Sequence, residues 1–311
     1  MNQLRRMSPH PASRAILAAL LACLVLACGP EAEPDDRPVV GVSLLNQQHD
    51  FYKDLEASLR EGAKERGLRL IVQSAENDPV RQMSQLENFI TQKVDALVVC
   101  PVNSSGIGGS IRQANQADIP VFTADIRATG GKVTSHIASD NVEGGRLAAQ
   151  RMAELLSGKG DVIVLDHPEV ASVQERVDGF VEELSKHPDI RIIDRPAAGG
   201  LRDKAYAMAE TMLLANPDLA GIFAINDDTA LGALRAVGDA DLVIVGYDGT
   251  PEACDAIRRG TALKADVVQS PGLIGTRTIG AVADHLAGQP VEPMISVEVG
   301  IVDQAMLMKD G

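Results

Sequence analysis

Residues 221–251 read GIFAINDDTALGALRAVGDADLVIVGYDGTP, and this stretch decides the fold. The apolar run 221–226 ends at Asn226, and a second run, 242–247, ends just before Asp248. Short, nearly continuous runs of this kind mark strands covered on both faces, as in parallel sheets. The stretch between them opens on Asp227 and Asp228, residues suited to cap a helix. Asp248-Gly249-Thr250-Pro251 has the chemistry of a turn. Strand, helix and strand in succession form the repeating unit of a doubly wound α/β sheet.

The same alternation extends in both directions. Strands are expected at 39–45, 68–74, 96–101, 121–125 and 134–139, then at 162–166, 190–194, 221–226, 242–247 and 265–269. The intervening segments place apolar residues three and four apart, as in Leu86, Phe89 and Ile90, and in Met208 and Met212. That spacing makes the methionines core residues. Two sets of about five strands imply an α/β protein of two doubly wound parallel-sheet lobes. Ligands in such sheets bind beyond the carboxyl ends of the strands. Asn46, Gln47, Asp125, Asp140 and Asn141 fall at those ends in the first set. Asn226, Asp227, Asp248 and Gln269 do so in the second. Each alone reads equally well as a helix cap or turn residue; two facing rows read as a binding cleft.

Composition narrows the function. A chain of 311 residues with 45% apolar and 23% charged residues is long enough for roughly two globular domains. The net charge of −14 argues against nucleic acid, whose phosphates need a basic surface. With no Trp, three Tyr and five Phe, any stacking surface must come from a short list. The four Cys have neither CxxC nor Cys/His spacing, and His49, His136, His167 and His187 have no metal-ligand spacing, so no metal is expected. Gly106-Ile107-Gly108-Gly109 lacks the GxGxxG pattern and reads as the start of a helix. No GxSxG motif or Ser/His/Asp constellation occurs, and nothing marks a cleft carboxylate as a catalytic acid. A binding protein without cofactor is therefore favoured over an enzyme.

Arg5, Arg6 and Arg14 precede a wholly apolar run, 15–27. That run falls short of the roughly 20 residues a spanning helix requires and suits the core of an export signal. A short membrane anchor is the alternative. Val25-Leu26-Ala27-Cys28 resembles the lipobox of bacterial lipoproteins, which implies cleavage after residue 27 and lipidation of Cys28. An ordinary secretory signal with an incidental cysteine is the competing reading. Residues 28–38 form an acidic, Pro-rich tether. Cys100 and Cys254 then remain as isolated thiols.

Several strings in one order carry a wider resemblance: ANQADIPVFTAD (114–125), SHIASDN (135–141), FAINDDTALGALRA (223–236) and IVGYDGTPE (244–252). Gln269-Ser270-Pro271 and Ile274-Gly275 complete the series. From Val39 to about Val302 the chain resembles the periplasmic ribose-type sugar-binding proteins of ABC importers. The resemblance implies the type I periplasmic binding protein fold, with lobes 39–139 plus 270–300 and 140–269 plus 301–311. Hinge crossings are then expected near Asp140, Gln269 and Gly300. It implies ligand-binding roles for Asp125, Asn226, Asp248 and Gln269, with Phe51 and Tyr52 as an aromatic pair and Asn46 or Gln47 as an amide.

Ile126 stands where such ribose binders carry an Arg, and Gln174 where they carry a second; Arg176 matches a different family arginine. Gly199-Gly200-Leu201 occupies the place of a second-lobe aromatic. These departures imply a ligand other than ribose: another pentose, a polyol or an amino sugar. Either Arg127 or Arg202 is expected to replace the lost charge, or the ligand supplies donors itself. The implied partners are a small sugar-like ligand and an ABC permease in the inner membrane, with the protein itself monomeric. A periplasmic sensor acting on a membrane receptor is the alternative.

Overall fold

The computed structural model describes residues 35–309 except Asp239. The expected leader, Cys28 and most of the tether lie outside the described residues. The first series comprises β1 (Val39–Leu44), α1 (Asp50–Glu65), β2 (Arg69–Ser74), α2 (Pro79–Thr91), β3 (Ala96–Val99), α3 (Gly108–Gln116), β4 (Val121–Ala124) and β5 (Ser135–Ser139). The second runs through α4 (Asn141–Leu155), β6 (Gly160–Leu165), α5 (Ala171–Leu184), β7 (Ile190–Asp194), α6 (Arg202–Ala215) and β8 (Leu219–Ala224). It continues with α7 (Asp227–Val237), β9 (Val243–Asp248), α8 (Pro251–Arg258) and β10 (Leu263–Val268). Then α9 (Pro271–Leu286) packs against α1, and β11 (Met294–Val297), β12 (Gly300–Asp303) and α10 (Gln304–Leu307) close the described chain.

The strands form two six-stranded sheets, ordered β11-β5-β4-β3-β1-β2 and β12-β10-β9-β8-β6-β7. Every neighbouring pair is parallel except β10 with β12. Five strands per lobe was therefore one too few. The sixth strands, β11 and β12, are short, partly exposed edge strands near the C-terminus, outside the strand–helix rhythm that marks the others. Gly300, expected to end the first lobe, already begins β12 in the second sheet. Fully buried β3 and β4 show why their sequences are nearly continuous apolar runs rather than alternating ones, while β5, equally buried, carries Ser135, His136 and Ser139.

The chain passes between the sheets at β5–α4, at β10–α9 and at β11–β12. Two of these crossings are tied together, since the Asp140 N–H donates to the Val297 carbonyl at 2.9 Å. Helix α4 lies unusually close to α5. A Cβ on Gly145 would sit 1.9 Å from the Arg176 carbonyl oxygen, and one on Gly179 would sit 2.1 Å from that of Val142. Only glycine allows this approach, which brings α5 close under the hinge.

Within the first sheet His136 is buried, with Nδ1 2.8 Å from Thr123 Oγ1. Burial, with Arg127 nearby, pushes its pKa down to about 4. An unfolded histidine titrates near ~6.5, so the unfolded chain binds more protons between these values. Stability is fully present above that range and is lost as pH falls through it, by roughly 3 kcal/mol. Chemical denaturation from pH 7 to 4 should show this loss, with a flatter profile in His136→Gln. Parallel profiles for the two proteins would remove His136 as the cause.

Candidate functional site

The carboxyl ends of the two sheets face each other across a cavity of about 60 Å³, lined from both lobes. From the first lobe come Phe51 and Tyr52, on the opening turn of α1, and Asp125 and Ile126, directly after β4. The two aromatic rings meet edge to face, with centroids 5.2 Å apart. The Tyr52 hydroxyl donates to Asp125 Oδ2 at 2.6 Å, which fixes that carboxyl group and leaves its other oxygen for a solute.

The second lobe supplies Asn226, Asp248, Gln269 and Arg176. Asn226 does both things its position allows: it caps α7, accepting from Thr229 N at 2.9 Å, and it also lines the cavity. Its Nδ2 donates to the Gly200 carbonyl at 3.2 Å. Gln269 Nε2 donates to Asp248 Oδ1 at 2.8 Å, while buried Gln269 Oε1 has no partner among the described residues. Both cleft aspartates lie at positive φ, 64° for Asp125 and 134° for Asp248, a backbone state that non-glycine residues rarely adopt.

Arg176 supplies the positive charge here. Its Nε donates to Asn141 Oδ1 at 2.8 Å and its Nη1 to the Ile225 carbonyl at 2.7 Å. The guanidinium carbon lies 3.9 Å from the centroid of the Tyr247 ring, and Nη1 is 4.0 Å from Asp248 Oδ1. Burial raises the Asp125 pKa despite the opposing pull of Arg176 and the Tyr52 hydroxyl. Burial and the neighbouring Asp227 push Asp248 up to about 7, again against Arg176. A solute hydroxyl that donates to either group favours its carboxylate form.

Three expected site residues do not reach the cavity. Asn46 is buried beneath the β1–α1 loop, where its Oδ1 accepts from Gln48 N at 3.0 Å and His49 N at 3.1 Å. Its Nδ2 donates to Asn77 Oδ1 at 3.2 Å, so it shapes the loop that presents His49 and ties it to Asn77 of the β2–α2 connection. Gln47 points outward and donates to Glu56. Gln174 is exposed and donates to the Pro168 carbonyl. Neither expected replacement cation enters the cavity either. Arg127 pairs with Glu175, and Arg202 is held by Asp228 and Glu252 at the cleft mouth. Their carboxylate partners lie outside the cavity and hold them there.

Arg176, His49, Asn77 and His167 line the cavity without having been expected there. The sequence signal for Arg176 was its match to a family arginine two residues beyond Gln174; the structure puts it on the inner face of α5. Contacts between the lobes flank the cavity. His49 Nε2 meets Asp228 Oδ2 at 2.9 Å, and Ala171 N–H donates to Ser104 Oγ at 2.9 Å. The Ser104 N–H donates to the Glu169 carbonyl at 3.2 Å, and Arg127 pairs with Glu175. The lobes are thus closed on each other. Among the described residues, no group of three or more His, Cys, Asp or Glu is arranged to hold a metal ion.

Two doubly wound lobes, three crossings and a closed polar cleft between strand ends define a hinged solute-binding protein. The chain belongs to the periplasmic binding protein family: the family's domain model matches residues 40–290. It is 33% identical to the ribose import binding protein RbsB of Bacillus subtilis, across 93% of this chain and 98% of that one. It is 28% identical to a xylitol-binding protein of Mycolicibacterium smegmatis, across 98% of this chain and 89% of the other. A solute-binding protein of Actinobacillus succinogenes, crystallised with D-allose, superposes with a TM-score of 0.81 at 27% identity. That match covers 88% of this chain and all of the other.

Arg176 is the residue whose loss the cleft tolerates least. Arg176→Met keeps most of the side-chain volume but leaves Asp248 and Asp125 without their cation and two buried acceptors without a donor. Urea denaturation should report a loss of roughly 3–5 kcal/mol. A loss below about 1 kcal/mol would show that the two aspartates do not depend on it.

Proposed function

We propose that this protein is the solute-binding component of an ABC importer. It captures a monosaccharide or similar small polyhydroxylated molecule by closure of the two lobes and delivers it to a membrane permease. The observation that carries this reading is the pair Asp125 and Asp248, presented to one small cavity from opposite lobes, with Gln269 Oε1 beside them. Vicinal hydroxyls donate to such acceptors, and hydrogen bonds to charged groups contribute about 1.5–3 kcal/mol each. Phe51 offers an apolar wall for the C–H face of a sugar. The ribose, xylitol and allose proteins described above support the same class of ligand.

The ligand differs from ribose in this reading. Ile126 places an apolar side chain where ribose binders carry a guanidinium, and Gln174 has turned away from the cavity. Gly199 and Gly200 leave room beside His167 where an aromatic ring would stand. A pentose other than ribose, a polyol or an amino sugar fits that change. Anionic sugars do not, because Arg176, the one arginine lining the cavity among the described residues, already faces the charges of Asp248 and Asp125.

Thermal unfolding of the purified protein against pentoses, hexoses, polyols, amino sugars and sugar acids tests both points. A ligand at 100 times its Kd adds about 2.7 kcal/mol and raises Tm by several degrees. Asp248→Ala should weaken binding of the responding sugar about 10–150-fold, and Gln174→Ala should leave it within about twofold. No shift with any neutral sugar or polyol would sink the proposal, and the largest shift with D-ribose would overturn the ligand assignment.

We further propose that Cys28 carries a lipid that anchors the protein on the outer face of a bacterial membrane. Cys28→Ser should then move the protein from the membrane fraction to the soluble extracytoplasmic fraction. Unchanged fractionation would favour an ordinary secretory signal or a retained anchor.

A further inference from the structure

Directly beneath the cleft, two carboxyl groups that ligand capture does not use lie against each other. Asp227, the first residue of α7, is 2% exposed, and Asp266, in the middle of β10, is fully buried. Asp227 Oδ1 and Asp266 Oδ2 converge on Gly246. A Cβ there would lie 3.2 Å from the first oxygen and 2.5 Å from the second. No donor among the described residues serves either atom. Two adjacent buried carboxylates without a donor would be strongly unfavourable.

Their remaining oxygens are engaged in a particular way. Asp227 Oδ2 accepts from the Thr250 N–H at 2.7 Å, and Asp266 Oδ1 from the Gly249 N–H at 3.0 Å. These are the two N–H groups that follow Asp248. The turn they belong to is strained, with φ of 134° at Asp248 and 79° at Gly249. The pair therefore grips, from below, the backbone that aims Asp248 into the cavity.

We propose that Asp227 and Asp266 share one proton and act together as a positioning pair for Asp248, an inference that rests on Asp248 being a ligand-binding residue. The proton sits on Asp266 and is donated to Asp227 Oδ1. It is taken up from water on folding, because both groups are ionised in the unfolded chain at neutral pH. Burial, and then the charge of Asp227, raise Asp266 well above the usual carboxyl range. The other titratable groups around the pair are Asp248 on β9, Asp228 on α7, Cys254 on α8 and Arg176 on α5. Arg176 reaches Asp248, Asp228 is taken by His49 and Arg202, and the Cys254 thiol faces the Gly249 carbonyl.

The sign of the linkage follows. A folded acid that keeps its proton gives stability that is complete below the unfolded pKa of ~3.9 and is lost as pH rises toward the folded value. The wild-type folding constant should therefore lose an extra factor of about ten per pH unit for the proton retained. In Asp266→Asn the amide replaces the acid: its N–H₂ donates to Asp227 and its oxygen accepts from Gly249. That variant should lack the extra loss while retaining slow hydrogen exchange at the Gly249 and Thr250 amides. Asp266→Ala should speed exchange at both amides at least tenfold and weaken binding of whichever neutral sugar gives the largest thermal shift.

The experiment is ligand-free chemical denaturation from pH 5 to 9, with amide exchange on the same three proteins. Parallel pH profiles for wild type and Asp266→Asn would overturn the shared proton. A flattened profile with unchanged exchange in Asp266→Ala would overturn the positioning role. A flattened profile and faster exchange, in a wild type that responds to no sugar, would uphold the pair and defeat the ligand assignment of Asp248.

Discussion

A single buried cation sets the terms for the rest of this molecule. Arg176 lies where α4, α5, β8 and β9 meet, and each of its bonds ties a different part of the cleft: Asn141 at the hinge, Ile225 at the end of β8, Asp248 at the end of β9. A buried guanidinium is costly to desolvate and is tolerated only when its donors are used. Here the Tyr247 ring covers one face, Asn141 and Ile225 accept two of the N–H groups, and Asp248 lies 4.0 Å from Nη1. The close approach of α4 to α5 through Gly145 and Gly179 makes this arrangement possible, because a Cβ at either position would force the helices apart. The binding site is thus built on the packing of two helices beneath it.

Closure has to be driven by the solute. The contacts between the lobes outside the cavity are few, and the Arg127–Glu175 pair is largely solvent-exposed. Ion pairs of that kind contribute about 0–1 kcal/mol. They guide the lobes into register. A solute that bridges Asp125 and Asp248 gains its second set of bonds only in the closed state, and differential affinity of this sort shifts a two-state hinge. Asn141 carries the effect toward the hinge, since it accepts from Arg176 while donating to the Ser139 carbonyl across the first crossing.

The sequence revealed the architecture well and the site unevenly, for physical reasons. Parallel strands covered on both faces leave an unmistakable run of apolar residues, so β3 and β4 could be read directly. The edge strands β2 and β7 keep the strand–helix rhythm and were expected, whereas β11 and β12 fall outside it and were missed. Asp125, Asp248 and Gln269 were legible because each stands where a strand ends, and the fold dictates that such residues face the cleft. Asn46 stands at a strand end too, but its amide is consumed by the loop it supports. Gln174 and Arg176 share one helix and differ by two residues, which turns one outward and the other inward. Helical phase relative to the cleft depends on how α5 packs, and the spacing of a single helix does not contain that.

Charge balance in the cleft explains what such a site admits. Asp125 and Asp248 face one guanidinium, and Asp227 and Asp266 stand close behind Asp248. A cavity with this surplus of acceptors repels an anionic solute, because Arg176, the one arginine lining it among the described residues, is already outnumbered by the two aspartates. A neutral polyol meets no such penalty. Its hydroxyls donate to carboxyl groups that burial has made reluctant to ionise, and each bond formed lowers the cost of the ionised form. Binding and proton release are then linked at Asp248, whose pKa near 7 in the ligand-free cleft lies within the range where that linkage is felt. The same low dielectric that makes the carboxylates costly when the cleft is empty strengthens their bonds to a bound sugar, and rejects an analogue that leaves one of them unmatched.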